Sequence, residues 1–291
     1  MDVNEVVEAL ALRTGRGYGE NPVAIGGGSV GFAFRFDVDN EPVFVKIGQA
    51  EQLVMFEAEA EGLKALSEAS ALKVPDVLDC GAAGKWSYLA MDWLELGPKS
   101  SRAEQSLGRG LALQHRVLGE HFGWHRHNTV GVTHQPNNPT EDWLAFLRDR
   151  RIGFQVKLAA SNNLPAEDLK KISTLLGSLE PYFYDYQPAP SLLHGDLWAG
   201  NWGTTIGGEP VLYDPAVYFG DREADLAMTR LFGGFGWDFY NAYEEAWPLV
   251  SGWESRVDLY NLYHLLNHFN IFGDAYLPQL QTVIERLMHQ L

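Results

Sequence analysis

The chain has 291 residues, 46% hydrophobic and 21% charged, enough apolar content for one large core or two lobes and too little charge for disorder. Its 22 basic and 38 acidic side chains give a formal charge of −16, which disfavours nucleic acid or anionic membrane as the main partner, because both require a basic face. A cationic small molecule suits that balance, and so does plain solubility.

Cys80 is the only cysteine, so no intrachain disulfide can form, and residues 1–12 carry acids where a signal peptide is basic and then apolar. No apolar run approaches about 18 residues, so no membrane span is expected and the cytoplasm is the expected compartment. Residues 23–45 read as strand, glycine-rich turn, strand, turn at Asp39-Asn40 and strand. Phe32, Phe34 and Phe36, then Val43 and Val45, recur with the period of an antiparallel sheet. Residues 51–67 turn helical, with Leu53, Phe56, Ala60, Leu63 and Leu66 as the apolar stripe. Two more strands follow at 77–81 and 87–94. After Gly97-Pro98 the pattern is mainly helical, over 102–121, 143–160, 166–179, 224–231, 239–247, 256–269 and 278–291. The lobe boundary is expected at 94–99, giving residues 1–95 and 96–291, and the loop 133–140 is the most linker-like stretch.

The segment His194-Gly195-Asp196-Leu197-Trp198-Ala199-Gly200-Asn201, followed by Tyr213-Asp214-Pro215, carries the chemistry. An Asp five positions before an Asn is the spacing of a phosphotransfer loop, in which the Asp takes a hydroxyl proton and the Asn holds a metal. A second Asp at a later strand end holds metals that bridge nucleotide phosphates. Asp196, Asn201 and Asp214 fit these three roles, and His-Gly and Asp-Pro in place of the protein-kinase His-Arg and Asp-Phe-Gly point to a small-molecule kinase. In the first lobe Gly26-Gly27-Gly28-Ser29 is either a phosphate-covering loop or a plain hairpin turn. Lys46, ending an apolar strand, is either a solvated terminus or a clamp on the α- and β-phosphates. A clamp lysine needs an acidic partner, and Glu59 is the candidate, because it shares a helical face with Leu63 and Leu66 while Glu57 and Glu61 face solvent.

With these residues the chain resembles the fructosamine kinase (ketosamine-3-kinase) family, relatives of the aminoglycoside phosphotransferases within the protein-kinase-like fold. The marks include Phe44-Val45-Lys46, Met55-Phe56-Glu57-Ala58-Glu59, Asn128-Thr129-Val130-Gly131, Gln135-Pro136-Asn137, Trp143, Arg150-Arg151 and Gln155. They continue through His194-Gly195-Asp196-Leu197-Trp198 and Asp214-Pro215-Ala216-Val217-Tyr218-Phe219-Gly220-Asp221-Arg222-Glu223. The resemblance implies an α+β, two-lobed protein-kinase-like fold, with a small antiparallel-sheet lobe before a larger helical one. It implies ATP- and Mg²⁺-dependent phosphorylation of the 3-hydroxyl of a ketosamine, free or protein-bound, by a monomer or weak dimer. Amides of Gly27, Gly28 and Ser29 would cover the β- and γ-phosphates, and Asp196 would act as base. Adenine would meet the backbone of Met91, Asp92, Trp93 and Leu94, with Met91 at the back wall. Several members carry cysteine where this chain has Ser29, so a disulfide-linked dimer through that loop is not available here.

Other residues stay open between two readings. Trp198 either walls the sugar and its amine or anchors the loop as a core residue. Asp221 and Arg222 either contact substrate or pair with each other. Asp225 is expected to accept loop backbone N–H groups. His121, His125, His127 and His134 fit no closed zinc site and read as a polar loop, and His264 and His268 read as packing residues. Two rival functions stand beside the resemblance: a kinase of the same fold acting on another amino alcohol or an aminoglycoside, and a nucleotide-binding regulator without catalysis.

Overall fold

The structure, a computed structural model, describes residues 3–17, 22–26, 31–39 and 41–291. Five strands form an antiparallel sheet in the order β1-β2-β3-β5-β4: β1 Val23–Ile25, β2 Phe32–Val38, β3 Glu41–Gln49, β4 Val77–Ala83 and β5 Trp86–Asp92. Alternation along β3 buries Val43, Val45 and Ile47 on one face. That face is covered by helix α1, Asn4–Thr14, whose Val6 and Leu10 lie four residues apart and are fully buried against it. The N-terminal segment therefore has a structural role that its acidic composition did not reveal. Arg13 at its end forms a two-pronged pair with Asp79 on β4, at 2.7 and 2.9 Å.

Helix α2, Leu53–Ala69, lies on the other face of the sheet and buries Phe56, Leu63 and Leu66. Beyond β5 a two-residue strand, β6 Leu96–Gly97, pairs with a strand of the second lobe. That lobe is mainly helical: α3 Ser101–His115, α4 Trp143–Phe146, α5 Gly153–Ser161, α6 Ala166–Leu176, α7 Glu223–Leu231, α8 Trp237–Ala246, α9 Glu254–Phe272 and α10 Leu277–Met288. Its short strands are β7 Asn128–Val130, β8 Thr133–Gln135, β9 Ser191–Leu193, β10 Trp202–Thr205, β11 Pro210–Leu212 and β12 Tyr218–Gly220. The architecture is the expected two-lobed, kinase-like α+β fold. Among the described residues no helix is long and apolar enough to cross a membrane.

Three local features differ from expectation. The helix expected to reach residue 121 stops at His115, where Arg116 donates to the backbone of Ala246 and the chain turns toward β9. The continuous helix expected over 143–160 contains a π-helical stretch, Leu147–Ile152, with Gly153 N–H bonded to Arg148 O five residues back. The loop 133–140 is not a linker: its first residues form β8, and Gln135 and Asn137 are buried with their amides bonded inward.

Candidate active site

Because Val43, Val45 and Ile47 face α1, Phe44 and Lys46 point the other way, into the space between the lobes. Lys46 Nζ lies 2.5 Å from Glu59 Oε1 on α2 and 2.6 Å from Asp214 Oδ1. Burial alone would lower the Lys46 pKa, but the two carboxylates outweigh it and hold the ammonium above its usual range. The side chain is a fixed cation. Glu57 and Glu61 turn outward and meet Arg126 of the second lobe, at 3.4 and 2.5 Å.

The loop after β9 is built around one carboxylate. Asp225, in the first turn of α7, accepts the N–H of His194 at 2.7 Å and of Gly195 at 2.9 Å, and lies 3.2 Å from His115 Nε2. Burial would raise this carboxyl, yet those donors and the nearby His115 and His194 rings hold it below the usual carboxylate range. Gly195 has φ +83°, and a Cβ there would stand 2.1 Å from Ala216 O, so the loop can pass this point only with glycine. His194 Nδ1 accepts the Asp196 N–H at 3.3 Å, which leaves Nε2 to donate to Tyr213 O at 3.1 Å. Lys99, lying over the Trp202 ring, donates to Ala199 O at 2.8 Å and fixes the far end of the loop.

These constraints bring the three spaced oxygens together. Asn201 Nδ2 donates to the Asp196 backbone O at 2.9 Å and to Asp196 Oδ2 at 3.2 Å, so Oδ1 is the atom it can offer to a cation. Asp214, just past β11, sits at φ +57°, a left-handed conformation that a non-glycine residue keeps only when its surroundings hold it there. Asp196 is pushed up to about 7, first by burial and then by the Asp214 charge, with the Asn201 bond pulling the other way. A carboxylate near neutrality can take up a proton at working pH.

All five residues line one cavity of about 1290 Å³. From the sheet side come Ile25, Gly26, Phe44, Met91, Asp92, Trp93 and Leu94. Gly27, Gly28 and Ser29 lie outside the described residues. From the helical side come Asn128, Thr129, Trp198, Phe232, His268, Phe272 and Tyr276. Trp198 is 39% exposed, so it lines the cavity and is not a core anchor. Its ring meets Phe232 edge-on, and His268 stands 4.9 Å from Phe232 and 4.8 Å from Tyr276. This aromatic wall was not expected. His264, His268, Phe272 and Tyr276 recur every four residues, a helical stripe that the sequence carries; His268, its Nδ1 bonded to His264 O at 2.8 Å, packs as expected and lines the cavity as well.

Asp221 and Arg222 are not brought to this cavity, nor do they pair with each other as the sequence suggested. Asp221 is fully buried and accepts bonds from the hydroxyls of Tyr186 and Tyr260 and from Glu223 N–H. Arg222 stacks 3.8 Å over Trp247 and donates to the backbone oxygens of Trp247 and Pro248. Two adjacent charges in one strand-to-helix corner point to opposite sides, and each finds its own partners. Of the histidines between 121 and 134, His125 binds Glu61 and His127 accepts the Asn137 N–H. Among the described residues no cluster of three or more His, Cys, Asp or Glu could cage a metal ion. Cys80 is half-buried, and burial, followed by the Glu57 and Asp79 charges, pushes its thiol up to about 12.

Comparison with known proteins agrees with this geometry. The fructosamine kinase family matches residues 3–290. The chain is 41% identical over 270 residues to a probable ketoamine kinase of Synechocystis, covering 91% of this chain and 89% of that protein. It is 38% identical over 272 residues to the chloroplastic protein-ribulosamine 3-kinase of Arabidopsis thaliana, covering 92% and 82%. A crystal structure from Thermobifida fusca, described provisionally as a fructosamine-3-kinase, superposes with a TM-score of 0.89 at 30% identity over 99% of both chains. An aminoglycoside phosphotransferase solved with ADP and hygromycin B shares the fold alone, with a TM-score of 0.67 at 15% identity over 97% and 98% of the two chains. A match running from the first helix to the last, at these identities, decides the relationship: the chain belongs to the fructosamine kinase family.

Proposed function

We propose that this protein transfers the γ-phosphoryl group of ATP to the 3-hydroxyl of a ketosamine, a sugar joined to an amine, as a step in deglycation. The observation that carries the reading is the position of Asp196, a base near neutral pKa in the same cavity as the Lys46–Glu59–Asp214 cluster and an aromatic wall suited to a sugar. Lys46, braced by Glu59, holds the α- and β-phosphates. The sheet-side residues Met91 to Leu94 receive adenine, and because the β5 ladder ends at Asp92, Trp93 and Leu94 are where backbone groups come free of the sheet. The amides beyond Gly26 cover the outer phosphates.

Asn201 Oδ1 and the Asp214 carboxylate suit Mg²⁺, a hard cation that usually takes one or two protein oxygens and completes its shell with phosphates and water. When bound it would neutralise charge on the phosphate oxygens. Asp196 orients the substrate hydroxyl and takes its proton as the new O–P bond forms. Trp198 and the rings around His268 bound the sugar and its amine. A single cysteine, which can form no intrachain disulfide, suits the reducing cytoplasm, our proposed compartment.

The product tests the reading. Phosphate at O3 of a ketosamine sits one bond from the C1–C2 enaminol, so it leaves by elimination, and hydrolysis of the resulting imine frees the amine. Incubation with ATP, Mg²⁺ and ribulosyl- or fructosyl-lysine should yield a phosphorylated adduct that decays without enzyme to inorganic phosphate, amine and a 3-deoxy dicarbonyl. A phosphomonoester that persists in ³¹P spectra, or phosphate release without matching amine, would exclude the 3-kinase reading.

A further inference from the structure

Arg151 is 1% exposed, and among the described residues it has no carboxylate partner. The four-residue steps Leu147, Arg151, Gln155 and Ala159 all face inward, a stripe that would drift around a regular α-helix and that the π-helical stretch keeps aligned. The guanidinium lies 3.9 Å over Tyr218 and 4.4 Å over Phe146. It donates to Pro136 O and to Asn137 Oδ1, both at 2.7 Å.

A guanidinium can only donate, so it sets the direction of every bond that follows. Asn137 Oδ1 is taken, and its Nδ2 donates to Asn128 Oδ1 at 2.7 Å. Asn128 must then turn its Nδ2 outward, and it donates to Val217 O at 2.8 Å. A second branch starts at the Tyr263 hydroxyl, which donates to Gln135 Oε1 at 2.6 Å. The Gln135 amide donates in turn to Asn128 Oδ1 at 2.8 Å and to Ala216 O at 3.1 Å. Both branches end on the carbonyls that follow Asp214-Pro215. The Ala216 N–H is held from the other side by His194 O at 2.8 Å.

We propose that Arg151 is a positioning residue for metal binding: through Asn137, Asn128 and Gln135 its fixed donor direction clamps Ala216 and Val217 and so holds the Asp214 carboxylate in its left-handed conformation. Asp214 is two residues from the nearest of these carbonyls, Ala216 O, and its φ of +57° is unfavourable enough to relax if they lose their donors. This rests on the reading of Asp214 as a metal ligand.

The test is calorimetric titration of ADP with and without Mg²⁺, which needs no turnover. In the parent, Mg²⁺ should tighten ADP binding. Arg151→Met should cut that enhancement about tenfold, and Tyr263→Phe, which removes one hydroxyl and preserves packing, about threefold. In both, metal-free ADP affinity should stay within about twofold of the parent. Leu280→Ala, on the buried face of α10 and outside the hydrogen-bonded chain, controls for lost stability: it should lower the melting temperature and leave the enhancement unchanged. If Arg151→Met does not fold, Tyr263→Phe decides alone. Parental enhancement in Tyr263→Phe, or a matching loss in Leu280→Ala, overturns the proposal. An absence of Mg²⁺ enhancement in the parent overturns the metal reading of Asp214 itself.

Discussion

Asp196 and Asp214 are carboxylates of one cavity, and their neighbours separate what each can do. Asp196 is half-buried beside Asn201 and, among the described residues, forms no ion pair, whereas Asp214 is half exposed and bonded to Lys46. Asp196→Asn keeps the shape and removes only the proton acceptor, so turnover should fall about 10²- to 10⁴-fold, with ATP affinity within a few-fold of the parent. Asp214→Asn instead removes a charge that faces both Lys46 and the proposed metal, so Mg²⁺-dependent nucleotide binding should weaken together with rate. Equal effects of the two substitutions on nucleotide affinity, measured by calorimetry, would erase the distinction. The nearness of Asp196, Asn201 and Asp214 was legible in sequence because the first two stand on one short loop and the third ends the hairpin that follows it. Lys46 and Glu59 were legible because strand and helix periods fix the faces on which they lie. Asp221 and Arg222 misled because two adjacent buried charges, each satisfied by separate partners across the fold, look in sequence like a functional charge pair. The clamp formed by Arg151, Asn137, Asn128 and Gln135 was visible only as motifs, since its members are joined across the fold and not along the chain.

At the scale of elements, α9 shows how packing overrides a periodic pattern. Leu259, Leu262, Tyr263, Leu266 and Phe269 form the expected buried stripe, but the helix is enclosed on most sides, and His264 is buried with its Nδ1 unpaired. Burial, followed by the neighbouring His268, pushes the His264 pKa down to about 3. An unfolded histidine titrates near 6.5. Between these values the unfolded chain binds the extra proton, so this residue's contribution to stability is complete above about pH 6.5 and declines as pH falls. One such group loses about 1.4 kcal/mol per pH unit well inside that window. Urea unfolding at pH 7.5 and 5.5 should show the parent weakening by roughly 1–2 kcal/mol more than His264→Phe, which cannot be protonated; identical pH dependence in the two would refute this account. The positions of most helices and strands were legible from apolar period. The π-helical stretch was not, because one extra residue per turn is specified by what the wider turn packs against. Helix α1 escaped notice because its stripe of Val6 and Leu10 is short and gains meaning only from the outer face of the sheet.

Across the whole molecule the two lobes share a core. Phe56, Leu63 and Leu66 of α2 and Met91 of β5 belong to the same buried cluster as Leu107 and Leu111 of α3, Trp202 and Val217 beside the loop, and Phe239 of α8. Arg126, ion-paired to Glu57 and Glu61, adds a polar tie at the edge of that core. The division into a sheet-rich and a helical half could be read from the change in period near Gly97-Pro98, but the continuity of the core could not, because it depends on which face of α2 meets the second lobe. Lobes joined in this way should unfold together. Leu63→Ala, a substitution in the first lobe at a side chain only 1% exposed, should cost about 2–5 kcal/mol. With one cooperative transition, that loss appears everywhere at once. Amide exchange under rising denaturant should therefore shift by the same free energy in β3 and in α9, although α9 does not touch residue 63 in this core. If β3 weakens while α9 keeps its parental protection, the lobes unfold separately and the shared core is too weak to couple them.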